Sequence, residues 1–167
     1  MMQADNLLTS LLTAYLNERE DGIPNPNAPL GIGEDGAVYR TASRTAVKIF
    51  YRSKNYEREL GCYLRLRDVE VTEVAGFAVP ELIDHDDERL IIEMGIVTPP
   101  RLLDFGKAYL DRPGPFSPDL IAEHFESKSA DYSDADWSRV LDAYYELKSY
   151  GIYYYDLRPA NIQVRAE

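Results

Sequence analysis

Apolar residues in the first twenty positions recur in pairs every four residues: Leu7 and Leu8, Leu11 and Leu12, Tyr15 and Leu16. That spacing lays one stripe along a helical cylinder and predicts a helix over residues 5–20, ended by Asp21-Gly22 and Pro24. The run Ile23-Pro24-Asn25-Pro26-Asn27-Ala28-Pro29 cannot hold regular structure and reads as a connector. From Leu30 to Tyr51 the pattern changes to that of strands. Two short strands are joined through Gly31-Ile32-Gly33-Glu34-Asp35-Gly36, and a turn over residues 41–44 leads to a third over residues 45–50. Residues 55–67 return to helical spacing, with Tyr56, Leu60, Tyr63, Leu64 and Leu66 on the apolar side. Two more strands are predicted around residues 81–84 and 89–93. The acidic run Asp84-His85-Asp86-Asp87-Glu88 between them reads as a solvated hairpin turn rather than a metal site, because adjacent residues on a tight turn point in different directions.

After Thr98-Pro99-Pro100 the pattern becomes helical. A short helix is predicted over residues 101–111, broken by Pro113-Gly114-Pro115. Ser117 then caps a second helix with Pro118 at its first position. Ser133 and Asp136 resemble a capping box opening a third helix, whose core face is Trp137, Val140, Leu141, Tyr144 and Leu147 and which Gly151 closes. The order β-β-β-α-β-β followed by helices is an α+β fold in two lobes. The expected division is a helix and connector over residues 1–27, a sheet-rich lobe over 28–97 and a helical lobe over 98–167. There is no internal repeat.

Composition narrows the function classes. A chain of 167 residues fits one domain with a real core. Its net charge of −11 argues against nucleic acid or an anionic membrane as partner. A lone cysteine, Cys62, excludes an internal disulfide framework and suits a reducing compartment, where it reads as a buried inert thiol. With no apolar run of spanning length and no basic, apolar leader at its start, the expected location is the cytoplasm.

Gly31-x-Gly33-x-x-Gly36 alone also fits a dinucleotide-binding turn, but such a turn must open a helix. Here it leads into the strand-like Ala37-Val38-Tyr39-Arg40. Ala46-Val47-Lys48 follows in the next strand, then Glu59 on the helix (Glu57 is the alternative), then Leu90-Ile91-Ile92-Glu93-Met94-Gly95, and finally Tyr154-Tyr155-Asp156-Leu157-Arg158-Pro159-Ala160-Asn161. In this order, over about residues 30–164, these motifs resemble the eukaryotic-type protein kinase-like superfamily.

The resemblance implies a five-stranded antiparallel sheet with one helix, then a mostly helical lobe, with ATP and magnesium between them. It implies a glycine flap at Gly31, Gly33 and Gly36, with Leu30, Val38 and Ala46 covering the adenine. Ile92 would be the gatekeeper, and the Glu93 carbonyl and Gly95 amide would face the adenine edge. Lys48, oriented by Glu59, would hold the α- and β-phosphates, Asp156 would act as catalytic base, and Asn161 would hold metal.

The sequence departs from the family pattern in three places. Arg158 replaces a lysine, and Tyr154 and Tyr155 stand where histidine and arginine are usual. The family's second metal-binding aspartate, in an Asp-Phe-Gly motif, follows the catalytic loop, whereas this sequence ends at Glu167. Asp104-Phe105-Gly106 spells the motif, but within the helix predicted over 101–111, and so reads as a coincidence of composition. With Asn161 as the only metal-holding side chain, phosphoryl transfer is expected to slow on the order of 10²–10⁴-fold.

Three functions follow: a minimal ATP-using phosphotransferase, an inactive pseudokinase acting through protein contacts, or a small-molecule kinase of the aminoglycoside or choline type. Thirteen tyrosines add a further expectation. Tyr144, Tyr145, Tyr150, Tyr153 and Tyr154 would stay partly exposed unless a protein partner, a second copy or the N-terminal helix covers the face formed by residues 137–155. The alternative is that the helix after Ser117 already covers it.

Overall fold

The strand pattern after Leu30 becomes a five-stranded antiparallel sheet, seen in a computed structural model that describes residues 2–23, 25 and 28–165. Of the expected connector, Pro24, Pro26 and Asn27 lie outside the described residues. The strands are β1 (Gly31–Ile32), β2 (Gly36–Arg40), β3 (Ala46–Phe50), β6 (Leu82–Asp86) and β7 (Ile91–Met94), in the order β1-β2-β3-β7-β6. All five residues of β3 are buried, because a helix covers each face of the sheet. On one face Val47 and Ile49 pack with Leu12, Tyr15 and Leu16 of α1 (Met2–Asn17). On the other, Ala46 and Phe50 join the main core with Tyr56, Leu60 and Tyr63 of α2 (Ser53–Asp68). Successive side chains of a strand leave on opposite faces, so β3 feeds both layers. Strand β6 runs further into the acidic segment than expected, and the turn begins at Asp87.

Helix α1 is clamped as well as packed. Arg19 and Arg89 make side-chain bonds to Asp84 and Glu18, and the Tyr15 hydroxyl donates to Glu93 Oε2 at 3.0 Å. The N-terminal helix therefore lies on the outer face of the sheet and not over the tyrosine-rich helix.

The helix expected over residues 101–111 is absent. That segment instead holds β8 (Arg101–Leu102), a turn at Gly106-Lys107 closed by Ala108 N–Phe105 O, and β9 (Tyr109–Leu110). Leu102, Phe105 and Ala108 are all buried at a spacing of three, which mimics a helical face. Asp104 has φ of 62°, a value that no right-handed helix passes through. Leu102 pairs antiparallel with Ile162 of β11 (Ile162–Gln163). Strand β8 also runs parallel to β5 (Phe77–Ala78), which forms a hairpin with β4 (Glu73–Val74), giving a four-stranded sheet that sequence patterning missed. Strand β9 pairs with β10 (Ile152–Tyr153).

The two later helices are α3 (Pro118–Ser129) and α4 (Asp134–Ser149), with Ser117 and Ser133 capping them through Leu120 N and Asp136 N. Gly151 follows α4 at φ 78°, the left-handed geometry that ends a helix without a Cβ penalty. Most of the tyrosine face is covered from within the chain. Phe125 of α3 meets Tyr144 at 4.9 Å, Phe116 meets Tyr155 at 5.5 Å, and Phe105 meets Tyr154 at 5.5 Å. Tyr144, Tyr154 and Tyr155 are consequently buried, and of the tyrosines in this region Tyr145 is the exposed one. The expectation is corrected for Tyr144 and Tyr154, which α3 and the segment after β8 cover, whereas Tyr145 stays exposed and Tyr150 and Tyr153 stay half-buried.

Candidate functional site

Between the five-stranded sheet on one side and β8, the segment after it and the loop before β11 on the other lies a cleft of about 720 Å³. Its roof is the hairpin β1–β2, closed by Leu30 N–Val38 O at 2.8 Å and Gly33 N–Gly36 O at 2.9 Å. Gly36 is required by packing, since a Cβ there would stand 2.2 Å from the Ile49 carbonyl oxygen of β3. Gly31 and Gly33 are different, for a Cβ on either would meet nothing within 4 Å. Their bare backbone faces open space, where a ligand can approach closely.

Lys48 projects from β3 on the cleft side and is almost fully buried. Its Nζ lies 2.6 Å from Glu59 Oε2 and 3.3 Å from Asp104 Oδ1. Burial works against the ammonium, but the Glu59 and Asp104 carboxylates outweigh it and hold Lys48 above its ordinary range. Burial pushes Glu59 up to about 7 against the pull of Lys48. For Asp104 burial also raises the carboxyl, yet Lys48, the Gly106 N–H and Arg158 together bring it below the usual carboxylate range.

Asp104 reaches this position through the backbone ladder. Leu103 N donates to Asn161 O at 2.8 Å, continuing the β8–β11 pairing, so the end of β8 and the start of β11 carry Asp104 and Asn161 side by side. The buried Tyr154 hydroxyl donates to Leu103 O at 2.8 Å. Phe105 is fully buried edge-on between Tyr63 of α2 at 5.3 Å and Tyr154 at 5.5 Å. The triplet that looked like a coincidence is thus built into the centre of the molecule, beside Lys48.

The loop between β10 and β11 supplies the floor. Asp156 Oδ1 is 3.1 Å from Arg158 Nε, while Asp156 Oδ2 is buried without a hydrogen-bond partner. Lys107 Nζ approaches Oδ2 to 3.9 Å. Asn161 Nδ2 donates to Asp156 O at 3.3 Å, and His124 of α3 contacts Tyr155 O through Nε2 at 2.7 Å. Tyr154 and Tyr155 are thus buried supports of this loop.

Of the residues expected from the sequence, Leu30, Gly31, Gly33, Gly36, Val38, Ala46, Lys48, Glu59, Gly95 and Asn161 line the cleft, with Asp156 adjacent through its contacts to Arg158 and Lys107. Along β7 the cleft wall lies further along the chain than the sequence suggested. Ala46 of β3 pairs with Met94, and the cleft wall continues through Gly95, Ile96 and Val97. Ile92 and Glu93 do not line it. The Glu93 carboxylate points to the opposite face, bonded to Tyr15 at 3.0 Å and Thr45 at 2.6 Å, and the Gly95 amide donates to Glu81 O at 2.9 Å. Met94, not Ile92, therefore lines this end of the cleft. Sequence reasoning also missed Asp104, Lys107 and Arg101 as cleft residues. The triplet Asp104-Phe105-Gly106 was itself the available signal for the first two. Cys62 is fully buried, and burial pushes its thiol up, which leaves it unreactive.

No protein-family model matches the sequence, and no curated protein does. Solved structures match, among them a ternary complex of streptomycin, ATP and APH(2″)-IIa, at 18% identity and a TM-score of 0.39, covering 71% of this chain and 35% of that one. The chain thus spans about a third of that structure's length.

Proposed function

We propose that the chain binds ATP in the cleft and transfers its terminal phosphoryl group to a hydroxyl acceptor. The observation that carries this reading is Asp104. It joins Lys48, Glu59 and Asn161 at one cleft, next to Asp156, and so offers a second metal-holding group beside Asn161. It comes before the catalytic loop in the chain and reaches the site by strand pairing.

The donor set suits a hard divalent cation. Asp104 offers a carboxylate held ionised, and Asn161 offers an amide oxygen that no donor occupies among the described residues. These residues include no cluster of three or more His, Cys, Asp or Glu that could hold a metal alone, so phosphate oxygens would complete the shell, as is usual for magnesium. A bound cation there would neutralise phosphate charge, which is worth several kcal/mol to the transition state.

The chain's own residues do the rest in this account. The glycine flap admits the phosphates, and Lys48, fixed by Glu59 and Asp104, binds them. Asp156 has one oxygen occupied by Arg158 and the other without a hydrogen bond, 3.9 Å from Lys107 Nζ, so Oδ2 can accept the acceptor's proton. The acceptor oxygen bonds to the γ-phosphorus as the bond from phosphorus to the bridging oxygen breaks. ADP then leaves with that bridging oxygen, and the proton passes to Asp156.

Thermal unfolding with ATP, with and without magnesium, tests the binding step. At a ligand concentration of 100 Kd the stabilisation is about 2.7 kcal/mol, or roughly 5–10 °C for a chain of this size. Lys48→Ala should abolish the shift, and Asp156→Ala should keep it while losing release or transfer of label from γ-labelled ATP. No shift under any condition removes the reading. A shift with no turnover in the wild type would leave a nucleotide-binding module that acts through protein contacts.

A further inference from the structure

We infer that Lys107 is a second catalytic cation, one that binds the terminal phosphate and tells ATP from ADP. The inference rests on the proposed nucleotide site and assigns one of its subsites. Four cationic side chains line the cleft: Lys48, Arg101, Lys107 and Arg158. Lys48 is committed to Glu59 and Asp104, and Arg101 bonds the Val97 carbonyl at the hinge end at 3.1 Å. Lys107 and Arg158 are the two that flank Asp156.

Lys107 bridges the roof and the floor. Its Nζ is 3.4 Å from Glu34 Oε2, at the tip of the glycine hairpin, and 3.9 Å from Asp156 Oδ2. In any in-line transfer the donor phosphate lies under the hairpin and the acceptor oxygen lies at Asp156, so the moving phosphoryl group must cross the gap that Lys107 spans. The residue is placed there by its neighbours. Phe105 and Ala108 are buried on either side, and Ala108 N bonds Phe105 O at 2.9 Å, so the turn presents Lys107 outward into the cleft.

The ammonium is also under-used. It has three donors, and among the described residues Glu34 is its one hydrogen-bond partner, a contact on an exposed carboxylate. A terminal phosphate brings three acceptor oxygens and can replace the Glu34 carboxylate, one anion for another. In a chain of net charge −11, a triphosphate needs local cations to enter, and an ammonium aimed at the transferred group is the arrangement that stabilises charge developing there. ADP lacks the group Lys107 would hold.

Calorimetric titration with magnesium-ATP and magnesium-ADP separates the possibilities. Lys107→Gln should weaken ATP about tenfold or more, as the loss of a charge-assisted hydrogen bond implies, and leave ADP within about twofold. Lys107→Arg should restore most of the ATP affinity. Glu34→Gln, which frees the ammonium, should tighten ATP a few-fold without changing ADP, and it decides the matter if Lys107→Gln does not fold. Equal effects on both nucleotides, or no effect, overturn the assignment while leaving the nucleotide site standing. A wild type that binds neither nucleotide overturns both.

Discussion

Phe105→Ala is the sharpest structural test, because it asks whether the Asp104 segment is core or surface. Phe105 has no exposed surface and sits edge-on to Tyr63 at 5.3 Å and to Tyr154 at 5.5 Å, tying α2 to the loop between β10 and β11. Truncating a fully buried phenylalanine removes its transfer energy and leaves a cavity, typically about 3–5 kcal/mol. For a chain of 150–250 residues each kcal/mol lowers Tm by roughly 2–4 °C, so a fall on the order of 6–20 °C is expected. Urea unfolding followed by far-ultraviolet circular dichroism gives the free energy directly. Leu120→Ala is the control, being half exposed on α3, and should stay within about 0.5 kcal/mol of wild type. If Phe105→Ala is as mild as Leu120→Ala, the segment is not packed between α2 and the loop. The placement of Asp104 then fails with it.

Two further outcomes follow from the roof and from the buried ion pair. Gly36→Ala should destabilise the fold by about 1–3 kcal/mol, since its Cβ would collide with the Ile49 carbonyl; Gly33→Ala should leave Tm unchanged and weaken ATP binding, as titration calorimetry would read. Glu59 is pushed up to about 7 from an ordinary 4.5, so the folded chain keeps a proton that the unfolded chain releases in that window. Stability contributed by this group is present at low pH and falls as pH rises from 4.5 towards 7. Glu59→Gln should flatten that part of the stability–pH curve, and a curve of unchanged slope would contradict the burial argument.

The legible parts of the fold were those encoded by near neighbours. The hairpin carrying Gly31, Gly33 and Gly36, the strand bearing Lys48, the helix bearing Glu59 and both serine caps follow from local period and spacing. The Lys48–Glu59 pair, at 2.6 Å, was accessible because both residues lie in consecutive elements. The segment at 101–111 was not legible for the opposite reason. Its Leu102, Phe105 and Ala108 have helical spacing, and what overrides it is pairing of β8 with β11, whose residues lie far along the chain. The cleft-facing side of β7 was not legible for another reason. Ile91, Ile92, Glu93 and Met94 are all buried because helices cover both faces of the sheet, so no polar alternation marks which residue faces the cleft. Knowing that α1 lies on the outer face would have assigned Glu93 to Tyr15 and Met94 to the cleft.

The claim on which the account turns is that Asp104, out of its usual place in the chain, holds a metal against the phosphates. Titration of ATP in magnesium and in EDTA, on wild type and Asp104→Asn, tests it most directly. Wild type should bind ATP at least about tenfold more tightly with magnesium, a difference of ~1.4 kcal/mol. Asp104→Asn should lose that increment and keep its affinity in EDTA within about threefold. A magnesium increment of undiminished size in Asp104→Asn would contradict the account.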